Sequence, residues 1–140
     1  TKQGISAIVE TTGNKAGHLI LRGSNNGPNY KADSVAGHVE QLRSAKLNTR
    51  LMIDCSHGNS AKDFRQQPKV AEEVAAQIAS GDDNIAGVML ESHLNEGNQK
   101  QVHGQQLAYG TSITDGCINW DSTVPILESL AESVRARRSM

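Results

Sequence analysis

Apolar and polar positions change period several times along this chain, and each change marks an element. Ile5 to Glu10 and His18 to Arg22 are short aliphatic or β-branched runs separated by the polar, glycine-containing stretch Thr11 to Gly17. That pattern predicts a hairpin or two successive strands at the N-terminus. From Asp33 to Leu47 the period lengthens: Val35, Val39 and Leu42 fall at i, i+4 and i+7, with Asp33 or Ser34 available as N-cap, which predicts an amphipathic helix. Leu51-Met52-Ile53 follows as a strand of the buried type. The unit then recurs. Pro68 opens a second helix, Val70, Val74 and Ile78 line one of its faces, and Gly81 stands at its C-terminal cap. Ile85 to Leu90 is the next strand. Beyond a polar loop from Ser92 to about Asn119, a last helix carries Leu127, Leu130 and Val134 behind Ser122 or Thr123 as cap. It ends in Arg135-Ala136-Arg137-Arg138, cations placed where the helix dipole favours them.

Strands alternating with helices predict an α/β fold with a parallel sheet. No linker or low-complexity segment interrupts the pattern, so residues 1–140 read as a single domain. A closed (β/α)8 barrel needs eight βα units and typically about 250 residues; this chain supplies about three units. It begins without Met, and the expectation is that it is part of a longer chain.

Composition narrows the picture. Lys and Arg number 14 against 15 Asp and Glu, a net charge of -1 that offers no electrostatic footprint for nucleic acid or an anionic membrane. With one Trp, two Tyr and one Phe, the core must be aliphatic. No apolar run approaches the roughly 18 to 20 residues that cross a bilayer, and Thr1-Lys2-Gln3-Gly4 has no signal-peptide character. These features point to a cytoplasmic protein. Cys55 and Cys117 lack CxxC spacing and fit a reducing compartment, as buried structural thiols.

In parallel α/β folds, ligand sites form beyond the carboxyl ends of the strands. Here those positions are polar: Leu21-Arg22-Gly23, then Ile53-Asp54-Cys55-Ser56-His57-Gly58-Asn59-Ser60, then Leu90-Glu91-Ser92-His93. Strands about 4.8 Å apart let His57 and Glu91 reach one ion, and the following loop can bring Asp115 over it. An imidazole with two carboxylates suits Mn, Fe, Co or Zn. Asp115 also fits simple turn chemistry in Ser112-Ile113-Thr114-Asp115-Gly116, and His93 fits either a ligand or a supporting role. Arg22 at the end of an aliphatic strand calls for an anionic partner and suits bidentate binding of phosphate or carboxylate.

Five stretches together carry a resemblance: Leu19 to Gly23, Met52 to Ser60 with Lys62-Asp63-Phe64-Arg65 and Gln67-Pro68, Glu91-Ser92-His93 with Glu96-Gly97-Asn98-Gln99, Tyr109-Gly110, and Ser112 to Asp115. In order and over essentially the whole chain they resemble the C-terminal part of the type I 3-deoxy-D-arabino-heptulosonate 7-phosphate (DAHP) synthases. The resemblance implies the last three βα units of a TIM barrel. It also implies a metal-dependent condensation of phosphoenolpyruvate with erythrose 4-phosphate, the first step of the shikimate pathway towards aromatic amino acids. By the same resemblance His57, Glu91 and Asp115 become metal ligands, Arg22 a phosphoenolpyruvate contact, and His57 a substrate neighbour that assists proton transfer. A homo-oligomer, dimer or tetramer, is implied too.

The family's fourth metal ligand, a Cys from an early strand, and its KPRT-type phosphate-binding segment do not occur in these residues. The chain alone is therefore expected to bind metal weakly and to lack synthase activity. Two alternatives stand beside this reading. One is a noncatalytic fragment that acts as an assembly partner of a complete barrel; the other is the related 3-deoxy-octulosonate 8-phosphate synthase, against which Gly58-Asn59-Ser60 and Glu96 to Gln99 speak.

Overall fold

The computed structural model describes residues 2–140. Three strands and three helices alternate: β1 (Leu19–Leu21), α1 (Ala32–Ser44), β2 (Leu51–Asp54), α2 (Gln67–Ala79), β3 (Ile85–Met89) and α3 (Trp120–Arg138). A 3-10 turn, Phe64–Gln66, leads into α2. The sheet is parallel in the order β1-β2-β3, with Ile20 opposite Met52 and Met52 opposite Gly87. Strands in chain order with a helix in each crossover are the repeat of a (β/α)8 barrel, and here β1 and β3 are the edges of an open arc.

The helix-facing side of the sheet is the core. Leu21, Leu51 and Ile53 pack with Val35 and Val39 of α1, Val74 and Ile78 of α2, and Ile85. A second cluster, Cys55, Val70, Ala71, Ile118 and Ile126, lies near the carboxyl ends of the strands. The buried hydrophobic set is aliphatic apart from the two cysteines; Tyr109 and Trp120 are exposed. Ile20, on the other face, is 46% exposed.

The expected pair of N-terminal strands is not formed. Residues 5–10 carry no strand, and Ile8 is 97% exposed. Strand propensity describes how side chains suit a pleated, half-buried surface; β1 pairs with β2 on one side, and nothing among the described residues offers residues 5–10 a ladder. Smaller departures concern caps. Lys31 takes the N-cap position of α1 without a side-chain bond, which puts Asp33 in the first turn, where the helix dipole favours it. In α3 the cap is Asn119, whose Oδ1 accepts from the Ser122 amide at 2.8 Å, in place of Ser122 or Thr123. Leu130 and Val134 pack against the core as expected, Thr123, Ile126 and Ser133 are buried beside them, and Leu127 stays half exposed. Pro68 sits in the first turn of α2 and Gly81, at φ +111°, follows its Ser80 cap. No helix among the described residues is long and apolar enough to cross a membrane.

Candidate active site

The site begins where β2 ends. Asp54 is 3% exposed, and its carboxylate accepts two bonds at 2.8 Å, from the Ser56 amide at Oδ1 and from His57 Nδ1 at Oδ2. The chain then reverses tightly. His57, Ala61 and Lys62 all adopt left-handed φ values of 49°, 53° and 63°, and the Lys62 amide closes the turn on the His57 carbonyl at 2.8 Å. For side chains other than glycine such angles are costly and concentrate at functional sites. Asn59 ties this turn to β1: its Nδ2 donates to the carbonyls of Leu21 and Asp54, and its Oδ1 accepts from the Asn29 amide.

Gly23 explains how Arg22 arrives. A Cβ on Gly23, whose φ is +80°, would lie 2.4 Å from the Gly58 carbonyl carbon, so only glycine lets the ends of β1 and β2 approach this closely. The Gly58 amide bonds the Arg22 carbonyl at 3.0 Å, and Arg22 Nε stands 4.0 Å from Asp54 Oδ2. Its guanidinium makes no other ion pair among the described residues and opens onto solvent.

Glu91 is held from three directions. Gln67 is fully buried, and its amide brackets the Glu91 backbone, donating from Nε2 to the carbonyl at 3.0 Å and accepting the Glu91 amide at 2.8 Å. The Ile118 amide reaches the same carbonyl at 3.0 Å, while Ser56 Oγ donates to Glu91 Oε2 at 2.8 Å. Asp115, though exposed, sits on an anchored loop. Gly97 and Cys117 exchange backbone bonds at 2.8 and 3.1 Å, Asn98 Nδ2 donates to the Thr114 carbonyl at 2.7 Å, and the Phe64 ring lies under Gly116. The Glu96 to Gln99 stretch is thus the latch of the Asp115 loop.

The result is a cleft of about 300 Å³ lined by Arg22, Ser56, His57, Lys62, Glu91 and Asp115, among others. One ligand atom each from His57, Glu91 and Asp115 lies within 4.8 Å of the others, and His57 Nε2 is 3.6 Å from Glu91 Oε1. Donors on one divalent ion with bonds of about 2.1 Å stand roughly 3 to 3.4 Å apart; the His57–Glu91 pair is close to that spacing, and the three side chains must draw together to share an ion. The chemistry fits as well. With Nδ1 bonded to Asp54, His57 turns its other ring nitrogen, Nε2, towards the Glu91 carboxylate, and the two donors face the same point as a shared cation would require.

The remaining candidates fall outside the cleft. His93 is turned away, with its Nδ1 accepting from the Leu94 amide at 2.8 Å, beside Val88, Leu90 and Trp120. His38 bonds the Ser34 carbonyl within α1. Burial, with a contribution from the Asp54 charge, pushes the Cys55 thiol up to about 12; burial first, then the charges of Glu91 and Asp115, raise Cys117 against an opposing bond from Ser112. Neither thiol is an activated nucleophile.

Asp54, Ser56, Gln67 and Phe64 shape the site but are not chosen by a search for ligands. The spacing of Asp54 three residues before His57 is a readable signal for one of them. Gln67 gives none, because its partner is a backbone 24 residues away.

Residues 1–128 match the DAHP synthetase I family. The tyrosine-inhibited phospho-2-dehydro-3-deoxyheptonate aldolase of Schizosaccharomyces pombe is 53% identical over 142 residues, covering 99% of this chain and 38% of the relative. The Phe-sensitive enzyme of that name from Escherichia coli is 53% identical over 138 residues, covering 99% and 39%. A solved structure of phospho-2-dehydro-3-deoxyheptonate aldolase from Francisella tularensis superposes with a TM-score of 0.86 at 46% identity, over 98% of this chain and 40% of that one. The chain therefore spans about two fifths of the length of the proteins it matches. Three βα units make up a similar share of a barrel of eight.

Proposed function

The chain belongs to the DAHP synthetase I family, and on that premise we propose that its rim is the metal-binding side of a site that condenses phosphoenolpyruvate with erythrose 4-phosphate, releasing phosphate. The observation that carries the reading is the convergence of His57, Glu91 and Asp115 on one point, with Arg22 lining the same cleft. Those three side chains would hold a divalent ion, Mn, Fe, Co or Zn by donor type. When bound, the ion supplies Lewis-acid polarisation of the aldehyde oxygen.

The chain's own residues do the rest of what this rim contributes. Arg22 binds the enol phosphate as an anion and offsets charge as the phosphate departs. The balance is a new bond between C3 of phosphoenolpyruvate and the aldehyde carbon, water adding at C2, and loss of inorganic phosphate. His57 Nδ1 is committed to Asp54, which leaves Nε2 as the atom that faces Glu91 and the ion site. The reading extends to a cytoplasmic homo-oligomer, dimer or tetramer, as the competent form, with residues 1–140 as one C-terminal segment of its barrel.

The test is phosphate release and product formation from both substrates with added Mn²⁺, on this chain and on a version extended N-terminally into a whole barrel. Turnover is expected from the extended protein only, and Glu91→Gln or Asp115→Asn should abolish it. An extended protein that folds, binds metal and turns over neither substrate would overturn the assignment.

A further inference from the structure

At the end of β2 one buried carboxylate is shared between a backbone amide and an imidazole. Asp54 is 3% exposed, its Oδ1 is occupied by the Ser56 amide, and its Oδ2 meets His57 Nδ1 at 2.8 Å. A carboxylate accepts and does not donate, so the proton of that bond belongs to Nδ1. In the neutral ring, the form that can ligate, Nε2 then carries the lone pair, and it is this atom that lies 3.6 Å from Glu91 Oε1. His57 itself adopts a left-handed φ of 49°, and Arg22 Nε at 4.0 Å keeps a positive charge beside Oδ2.

We propose that Asp54 is a positioning residue that fixes His57 as its Nδ1–H tautomer and thereby presents the Nε2 lone pair to the cleft. Carboxylates behind ligating histidines set ring orientation and tautomer in this way. The proposal rests on the metal reading for its use but not for its geometry. It also narrows what His57 does: one nitrogen is held by Asp54 and the other faces the ion site, so the ring serves as a ligand, and proton traffic in the cleft falls to other groups.

The substitution Asp54→Asn separates positioning from simple packing. Asparagine has nearly the same shape, and the Ser56 amide will still claim its oxygen. Its NH₂ group must then face Nδ1 and donate to it, which moves the ring proton to Nε2. In the chain labelled with ¹⁵N at histidine, long-range correlation spectra at about pH 8.5, where ordinary imidazoles are neutral, read the tautomer directly. Wild type should show a protonated Nδ1 and a bare Nε2 at His57, and Asp54→Asn should show the reverse.

Titration with Mn²⁺ should find affinity about 10- to 100-fold weaker in Asp54→Asn. Asp54→Ala, which imposes no tautomer, should bind better than Asp54→Asn although it is the less stable protein. A packing role predicts the opposite order. If Asp54→Ala does not fold, the spectra of Asp54→Asn still decide. An unchanged tautomer in Asp54→Asn, with affinity within about twofold of wild type, overturns the proposal. Glu91→Ala provides the separate control, because it should lose Mn²⁺ without moving the His57 proton. A reversed tautomer in Asp54→Asn together with no Mn²⁺ binding by the N-terminally extended wild-type protein would uphold the role of Asp54 and sink the metal reading.

Discussion

Two apolar runs in this protein have nearly the same character and opposite fates. Residues 5–10 and the strand Leu51–Asp54 are both short and aliphatic, yet Ile8 is 97% exposed whereas Leu51 and Ile53 are completely buried. β2 has a parallel neighbour on each side and the α1 and α2 side chains over one face; the earlier run joins no strand ladder among the described residues. What decides between strand and open chain is the supply of partners, since backbone groups need bonds and apolar side chains need cover. The site follows the same division, because its ligands grow from the strand ends that have neighbours.

The contrast can be tested at its extremes. The largest expected difference is in thiol chemistry. With its thiol pushed from 9.0 to about 12, Cys55 should hold roughly a thousandfold less thiolate than an ordinary cysteine. Iodoacetamide labelling at about pH 8, followed by peptide mass spectrometry, should modify a cysteine placed by Ile8→Cys and leave Cys55 untouched until unfolding. The neutral buried thiol favours the folded state in full below the unfolded value of 9.0, and that advantage is lost as pH rises towards about 12. Rapid alkylation of Cys55 in the folded chain would show that the end of β2 opens readily.

Next in size, Ile53→Ala should cost about 2 to 5 kcal/mol in urea unfolding, as for a buried aliphatic side chain with no room to collapse. A smaller loss, about 1 to 3 kcal/mol, is expected for Gln67→Leu, which leaves the Glu91 amide and carbonyl without their bracket; Mn²⁺ titration of that variant should show weaker binding. At the other end, Ile8→Ala should stay within about 0.5 kcal/mol of wild type. A cost well above that would mean that residues 5–10 are covered in solution and that the contrast with β2 fails.

The same physics separates what the sequence makes legible from what it hides. Period changes locate three βα units, because burial on one face imposes spacing on local stretches of chain. Arg22, His57 and Glu91 stand out since ligand sites follow strand ends, and Asp115 emerges from the motif it shares with the family. Caps are less legible: Asn119 is one of several adjacent side chains able to cap α3. Gln67 is invisible beforehand because its role is defined by a backbone brought to it through the fold. The missing N-terminal strand is the complementary case, a local signal that meets no strand ladder among the described residues.

The Glu91 carbonyl accepts from both Gln67 and Ile118, so the strand-end carboxylate and the loop that carries Asp115 are measured from one benchmark. Between them, Gln99 bonds both the amide and the carbonyl of Ala108 and closes the neck of an exposed excursion over residues 100–107. Positional error in that excursion has no route to the cleft. The loop is therefore free to lengthen, shorten or change its chemistry while the spacing of the two carboxylates stays in tolerance, which makes it the part of this rim most open to evolutionary revision.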